Sequence, residues 1–449
     1  MVNWEIVQDN TIADYIEDAS YKVSDIYDTD FLDVSETISE LSYLTHDYFR
    51  YYGKFPSKIA KYIINTLTTE KKIKQEQDFI FDNYNGSGTT MVEAKIAGFL
   101  SAGIDINPFG VLAANVKTYN YDVDLLKNIA STLFLKIKKR VEASEEQINF
   151  CFSDNVNGID SQGIDDINKR IYLEFTDIDK WFDTDVIRQL SIIKHYVLSM
   201  PQDKYREFFS LGFFAIIRRV SRAHDAEVRP HINLKKRKRD AISAFEKKID
   251  EMISTMSAWN TVTSKDIISQ TEICDNSSCE SVTTFIDKLK HNYNKNLGLV
   301  ISHPPYLNCF DYIPVYKLKF LWAFGFDEIY GKLSYQEIKS DEIRSYPAKK
   351  DSFVNNYFVH NLKAYQIMFN CLRSGGYCCV VIGDCTINKE LFSVHKMLIH
   401  GMEKIGYMVE KVTYRSTAYG MGRYAYKHRA DYTDKEEGKQ DAIIFFKKP

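Results

Sequence analysis

Two short runs carry residue types suited to chemistry. The first is Asp82-Asn83-Tyr84-Asn85-Gly86-Ser87-Gly88-Thr89-Thr90. Glycines so placed let the backbone turn tightly and approach a ligand, and a helix opening behind them adds exposed N–H groups. The second is Ser302-His303-Pro304-Pro305-Tyr306. Proline has no N–H, so a sheet ladder stops there. A rigid Pro-Pro also fixes a carbonyl and aims an aromatic ring. That suits stacking on an extruded base and accepting a hydrogen bond from its amino group.

The elements that must position these runs are readable in outline. Phe79-Ile80-Phe81 reads as a buried strand, the glycine run as a turn, Thr90 to Ala97 as a helix ended by Gly98, and Ser101 to Ile104 as a second strand. This is a βαβ unit. Asp105 ends the second strand about twenty residues after the turn, where an acid can bond ribose hydroxyls. The turn has no Lys after its last Gly and no third Gly, so it is neither a P-loop nor a dinucleotide fingerprint. A positively charged, phosphate-free nucleoside such as S-adenosylmethionine fits it better, with Asp82 near the ammonium.

Leu297 to Ile301 reads as a strand running into the prolines, and open α/β sheets bind ligands at such strand ends. Ile268 to Ile273 and Tyr377 to Ile382 read as further strands, and Met408 to Thr413 with Ala442 to Phe446 as a terminal antiparallel pair. A helix with Pro56 in its first turn is expected over Lys54 to Ile64. The expected organisation is an N-terminal helical extension (1–44), a cofactor-binding part of the core (45–119), a helical insertion (120–265) and a catalytic part (266–449). The insertion shows helical spacing such as Val186-Leu190-Ile193-Tyr196, and it is the candidate for target recognition.

Together these runs resemble the amino-group DNA methyltransferases, which methylate N4 of cytosine or N6 of adenine. Tyr84 to Thr90 is similar to their FxGxG cofactor motif, and Asp105, followed by Ile106, to their ribose-binding acid. Cys274-Asp275-Asn276-Ser277 resembles the motif whose acid approaches the adenine amino group. His303-Pro304-Pro305-Tyr306 occupies the place of the (D/N/S)PP(Y/F) catalytic motif, and Leu307 to Tyr312 resembles the continuation in SPPY members. His46 to Pro56 resembles the segment that closes over the methionine end, with Lys54 and Pro56 in its best-matching stretch.

The resemblance implies an α/β, Rossmann-like methyltransferase fold: a mostly parallel sheet with a terminal antiparallel strand, here with a large helical insertion. It implies S-adenosylmethionine as cofactor and double-stranded DNA as partner, with no metal. The implied cofactor-binding residues are Lys54, Pro56, Asp82, Tyr84, Gly86, Gly88, Thr89, Thr90, Asp105, Ile106, Asp275 and Asn276. The catalytic set is His303, Pro304, Pro305 and Tyr306. The similarity to SPPY members favours N4 of cytosine.

Three departures stand out: Asn83-Tyr84 replaces Pro-Phe, helices interrupt the cofactor half, and His303 stands where Asp, Asn or Ser is usual. An exocyclic amine is a poor nucleophile because its lone pair is conjugated into the ring. Acceptors at position 303 and at the Pro304 carbonyl would draw on its hydrogens. Neutral His303 can accept through one ring nitrogen, whereas the protonated ring only donates. Two alternative functions are therefore a catalytically impaired cofactor- or DNA-binding subunit and an RNA amino-methyltransferase.

The 58 Lys+Arg against 61 Asp+Glu give a net charge of -3, so nucleic acid must be held by local patches. Arg218, Arg219, Arg222, Lys235, Lys236 and Arg237 form one candidate. Arg415, Arg423 and Lys427, interleaved with tyrosines, form a second. The longest apolar run, Phe213 to Ile217, is too short to span a bilayer, and Met1-Val2-Asn3-Trp4-Glu5 shows no secretory leader. The 8 Cys lack zinc-ligand spacing. The expectation is a cytoplasmic protein with possible restriction or defence-system partners.

Overall fold

The computed structural model describes residues 21–34, 36, 40–54, 56–148, 178–326, 335–388, 390–416 and 440–449. Its centre is an eight-stranded sheet in the order β1-β9-β10-β6-β5-β2-β3-β4. The strands are β1 (Thr29–Leu32), β2 (Asp78–Asp82), β3 (Ser101–Asp105), β4 (Ser269–Ile273), β5 (Asn296–Ser302), β6 (Tyr377–Gly383), β9 (Met408–Ser416) and β10 (Gln440–Lys447). A separate hairpin pairs β7 (Cys385–Ile387) with β8 (Glu390–Phe392). β10 alone runs against its neighbours β6 and β9; every other pairing in the large sheet is parallel. The fold is thus the α/β, mostly parallel arrangement expected, including the antiparallel pair at the chain's end.

Strand order reverses between β2 and β5. The chain moves outward from β2 to β3 and β4, then returns to the other side of β2 for β5 and β6. β2 and β5 pair in parallel with Phe81 opposite Val300, which brings Asp82 beside Ile301 and the two strand ends close together. Diverging connections leave a crevice beyond these ends, where open α/β sheets take ligands.

Both faces of the sheet are covered, which explains strands that read as near-continuous apolar runs. On one face α1 (Ser57–Thr69) packs Ile59, Ile63 and Leu67 against Ile80, Leu299, Ile301 and Val381. Among the described residues the other helices of more than one turn are, in chain order, α2 (Thr89–Ile96), α3 (Pro108–Thr118), α4 (Val123–Ile148), α5 (Thr184–Leu198), α6 (Lys204–Val220), α7 (Ala241–Val262), α8 (Cys279–Tyr293), α9 (Lys317–Ala323), α10 (Tyr335–Asp341), α11 (Asp351–Cys371) and α12 (Val394–Ile405). The other face buries Phe79, Phe81, Val300 and Val380 under α8, α11 and α12.

Where described, region 120–265 is helical, yet it shares its core with its neighbours. α6 is apolar nearly all round and sits centrally. Its Phe208, Phe213 and Phe214 join Phe109 and Leu112 of α3, and Trp322 and Phe326 from beyond the Pro-Pro-Tyr run, in one cluster. The N-terminal extension differs from expectation. Thr29–Leu32 is an edge strand parallel to β9, not a helix, because Val412 to Arg415 offers an unpaired ladder edge to it. Among the described residues no helix is long and apolar enough to cross a membrane.

One buried ion pair ties the sheet together at its other end. Asp78, 1% exposed, accepts from Arg373 Nε at 2.6 Å and Nη2 at 3.1 Å, and from the Lys74 N–H. The same guanidinium donates to the Lys72 carbonyl, so it joins the start of β2 to the turn before β6. Replacing Asp78 by Ala strands the guanidinium. Urea denaturation of Asp78→Ala is expected to show a loss of about 3 kcal/mol; a change within about 0.5 kcal/mol would refute that role.

Candidate active site

The glycine turn leaves β2 and enters α2 through two left-handed residues, Gly86 (φ 51°) and Gly88 (φ 80°). A Cβ on Gly88 would lie 2.7 Å from Ala114 Cβ, so only glycine permits this approach to α3. Asp105 holds the turn open: its Oδ2 accepts from Gly86 N at 2.7 Å and its Oδ1 from Asn107 N at 2.8 Å. Asp82 accepts from Tyr84 N at 2.9 Å. Buried Lys117 donates to the Ser87 carbonyl at 2.9 Å, and desolvation holds its pKa well below the usual lysine value.

The turn and the Pro-Pro-Tyr loop face one cleft of about 810 Å³, open solvent at its mouth included. Of the expected residues, Lys54, Tyr84, Gly86, Thr89, Asp105, Ile106, Asp275, Asn276, His303 and Pro305 line it. Pro56, Asp82, Gly88, Thr90, Pro304 and Tyr306 are not among the lining residues. Asp82 is fully buried beneath the turn, so it shapes the cradle rather than reaching a ligand's ammonium. Gly88 and Thr90 likewise act through the backbone path into α2.

Several turn atoms are buried without a protein partner: Asp82 Oδ2, both amide atoms of Asn83, Asn85 Oδ1 and Ser87 Oγ. Such orphans carry a desolvation cost unless a ligand or water meets them. Burial also raises the carboxyls here. Asp82 is pushed up to about 7, with the nearby Asp105 charge adding to the effect, and Asp105 to about 6 against two N–H donors. The cradle is therefore acidic and rich in acceptors without a protein partner.

At the second wall, His303 Nε2 lies 3.1 Å from the Tyr306 hydroxyl, with ring centroids 4.9 Å apart. Tyr357 donates to the Pro305 carbonyl at 2.6 Å. Ser302 points the other way, as strand alternation predicts, and its hydroxyl meets that of buried Tyr365 at 3.0 Å.

The N-terminal segment closes the third side. Tyr43 and His46 both meet buried Glu93 of α2 at 2.6 Å, and Lys54 donates to the His46 carbonyl at 3.2 Å. Desolvation pushes His46 down to about 4 and Lys54 down to about 8. Gly53 (φ 80°) lies so near the Tyr312 ring that a Cβ would fall 2.4 Å from Cε1. The Tyr52 N–H also donates to the Tyr316 hydroxyl at 2.9 Å. Segment 51–54 is thereby packed onto the chain that follows Pro-Pro-Tyr.

Glu342 is a lining residue with no signal in the sequence. Its Oε1 accepts from the N–H groups of Tyr312 and Ile313, the latter at 3.0 Å. Burial, with the charges of Asp311 and Asp105 nearby, raises it to about 7. Asn83, Asn85 and Ser87 were also not singled out, although their place between β2 and the glycines marked them.

The two basic candidates for nucleic acid change character in three dimensions. Arg218 is buried, donates to the carbonyls of His224, Glu227 and Val228, and stacks 5.1 Å over Tyr52. Lys236 donates to the Arg218 and Ala223 carbonyls and to Asp225. Arg222 bonds the Asp179 carbonyl and Asp183. Arg415 is buried against Asp441. Arg218, Lys236 and Arg415 are structural donors with buried side chains rather than phosphate ligands, because the irregular chain after α6 and the last strand pair need buried acceptors satisfied, whereas Arg222 stays about a third exposed. Arg219, Lys235 and Arg237 are exposed. Arg423 and Lys427 lie outside the described residues.

Comparison with known proteins agrees with this geometry. A family model described as DNA methylase matches residues 4–115. The type II methyltransferase M.MvaI of Kocuria varians is 24% identical over 266 residues, 59% of this chain and 53% of that protein. M.MjaII of Methanocaldococcus jannaschii, also a type II methyltransferase, is 37% identical over 94 residues, 21% of this chain and 17% of that one. The chain spans about half or less of the length of these relatives. A solved rRNA methyltransferase, aviRa of Streptomyces viridochromogenes, aligns over 88% of this chain and 85% of its own, at 8% identity and a TM-score of 0.30. A likeness at that level bears on neither substrate nor residue roles. The glycine turn, Asp105 and the Pro-Pro-Tyr loop thus meet in one cleft, in a chain whose residues 4–115 match a DNA methylase family model and which is similar in part to type II methyltransferases.

Proposed function

We propose that this chain transfers a methyl group from S-adenosylmethionine to an exocyclic amino group at a specific site in double-stranded DNA, N4 of cytosine in preference to N6 of adenine. The observation that carries the proposal is the shared cleft: Gly86 and Asp105 on one side, His303 and Pro305 on the other, at the reversal between β2 and β5. The residues present fit the cofactor. Unpartnered acceptors on the lining residues Asn83, Asn85 and Ser87, with the raised Asp105 carboxyl nearby, favour a ligand bearing positive charge and N–H donors. Asp105 would take the ribose hydroxyls, and Asp275 and Asn276 the adenine.

When bound, S-adenosylmethionine supplies an electrophilic methyl on a sulfonium. The chain contributes position and hydrogen bonding. His303 and the Pro304 carbonyl accept from the target amine, which helps it toward tetrahedral geometry. To accept through Nδ1, His303 must keep its proton on Nε2 and donate it to the Tyr306 oxygen. Glu342 fixes Tyr312 and Ile313, and through them the loop after the motif. His303 also favours a second reading, a binding subunit with an impaired catalytic position.

Incubation with labelled S-adenosylmethionine and duplex DNA, followed by nucleoside analysis, is expected to give labelled N4-methylcytosine from the unaltered protein. Label only with His303→Ser would favour the second reading. No label with either, despite cofactor binding, would sink the methylation proposal.

Glu342→Ala leaves two backbone donors without their acceptor, whereas Glu342→Gln retains an oxygen. The Ala variant is expected to lose about tenfold in kcat/KM, roughly 1.4 kcal/mol, and Gln less than about threefold. Equal losses would argue that the loop contact is immaterial.

Cofactor affinity should depend on pH. A cationic ligand binds better to ionised carboxylates, and Asp105 (about 6) and Glu342 (about 7) lose their charge as pH falls through those values. Affinity is therefore expected to weaken from pH 7.5 to 5.5, with protons released on binding near pH 6.5. Calorimetry in buffers of different ionisation enthalpy measures both; proton uptake would reverse the assigned sign.

A further inference from the structure

We propose that residues 341–350 form a strap whose exposed side grips the phosphate backbone of duplex DNA at the rim of the cleft. The proposal rests on the DNA methylation reading and adds a binding surface to it. The strap begins inside the site, where Asp341, Glu342 and Ile343 line the cleft. It then turns outward and becomes basic: the Arg344 side chain is 63% exposed, and Lys349 and Lys350 are exposed. From the helical region, exposed Arg229 sets its guanidinium 5.5 Å over the Tyr346 ring, bringing a fourth cation to the same surface. Arg344 Nε lies 3.8 Å from the nearly buried Asp311, and the exposed Asp351 adjoins Lys350 in the chain.

The inner side of the strap is bonded to the loop that follows His303-Pro304-Pro305-Tyr306. Asn308 N donates to the Ser345 carbonyl at 2.6 Å, and Ala348 N donates to Asn308 Oδ1 at 3.1 Å. Ser345 donates from Oγ to the Phe310 carbonyl at 2.9 Å and from N to Asp311 Oδ1 at 3.3 Å. Asn308 is left-handed (φ 58°), a conformation held by these contacts on both its backbone and its side chain. A force on the outer face is thus transmitted to the loop that presents Pro305 and Tyr312 to the cleft.

Charge distribution identifies the ligand. The cleft floor is acidic, with Asp105 and Glu342, so it repels a phosphate, and Asp341 stands exposed where the strap leaves it. The rim is cationic, so it holds one. A duplex with one nucleotide extruded divides the same way: a polyanionic backbone outside, an uncharged base inside. Surface cations of this kind position the duplex without reading its sequence.

The test is DNA affinity against salt for the full chain, using a triple variant, Arg344→Ala with Lys349→Ala and Lys350→Ala. A milder variant, Lys349→Ala with Lys350→Ala, spares Arg344 should the triple variant fold poorly. Lys127→Ala with Lys136→Ala and Lys139→Ala, exposed on α4, removes equal charge elsewhere. The strap variant is expected to bind duplex DNA at least roughly tenfold more weakly at about 0.15 M salt, with a log–log salt slope shallower by about 2 to 3. S-adenosylmethionine affinity should be unchanged, and the α4 variant should keep the slope of the unaltered protein. An unchanged slope in the strap variants, or an equal change in the α4 variant, overturns the strap while label transfer to DNA still supports methylation. Preferential binding of duplex RNA overturns the DNA assignment, and no duplex DNA binding by the unaltered protein overturns strap and methylation reading together.

Discussion

β2 and β5 lie parallel and adjacent while the chain leaves their ends in opposite directions. Everything at the site depends on that arrangement. Parallel strands need long crossovers, and crossovers of one hand on each side of the reversal cannot both cover the strand ends. The crevice that remains receives the glycine turn from β2 and the Pro-Pro-Tyr loop from β5. Neither run forms a cleft alone. Their meeting follows from register: Phe81 opposes Val300, so the two exits leave the sheet at nearly the same height.

Around that crevice the protein holds charges in surroundings that resist them. Desolvation raises Asp82, Asp105 and Glu342 and lowers Lys54, Lys117 and His46. His46 faces the Glu93 carboxylate at 2.6 Å, whereas Asp105, Glu342 and Lys117 are kept by bonds to the backbone. Asp105 takes two backbone N–H groups, Glu342 takes two more, and Lys117 gives to the Ser87 carbonyl. These are the bonds that fix the glycine turn and the loop after Pro-Pro-Tyr, so the same carboxylates that give the cleft its negative charge also shape it. A carboxylate fixed in this way needs little reorganisation when charge develops nearby.

The helical region joins this site instead of standing apart from it. Phe109 and Leu112 of α3, the phenylalanines of α6, and Trp322 share one apolar cluster. Tyr52 stacks with Arg218 on one side and donates its N–H to Tyr316 on the other. The N-terminal segment, the helices and the chain beyond Pro-Pro-Tyr are therefore mechanically continuous. The N-terminal edge strand was not readable because Thr29–Leu32 is short and mostly exposed, without the alternation that marks a half-buried strand. It exists because β9 presents it an edge.

The glycine turn, the acid at the end of β3, the proline stop after β5 and most strands were determined by the sequence itself. Glycine and proline act on the backbone within a few residues, and a doubly covered strand must be apolar throughout. Tertiary structure decided what the charged residues do. Arg218, Lys236 and Arg415 read as phosphate-binding surface in one dimension, yet they satisfy carbonyls and carboxylates inside the fold. Asp82 read as a ligand contact and lies beneath the turn; Glu342 carried no signal and lines the cleft. A backbone constraint is a property of the local chain, whereas a charge takes its role from whichever acceptors, donors and solvent the rest of the fold brings to it.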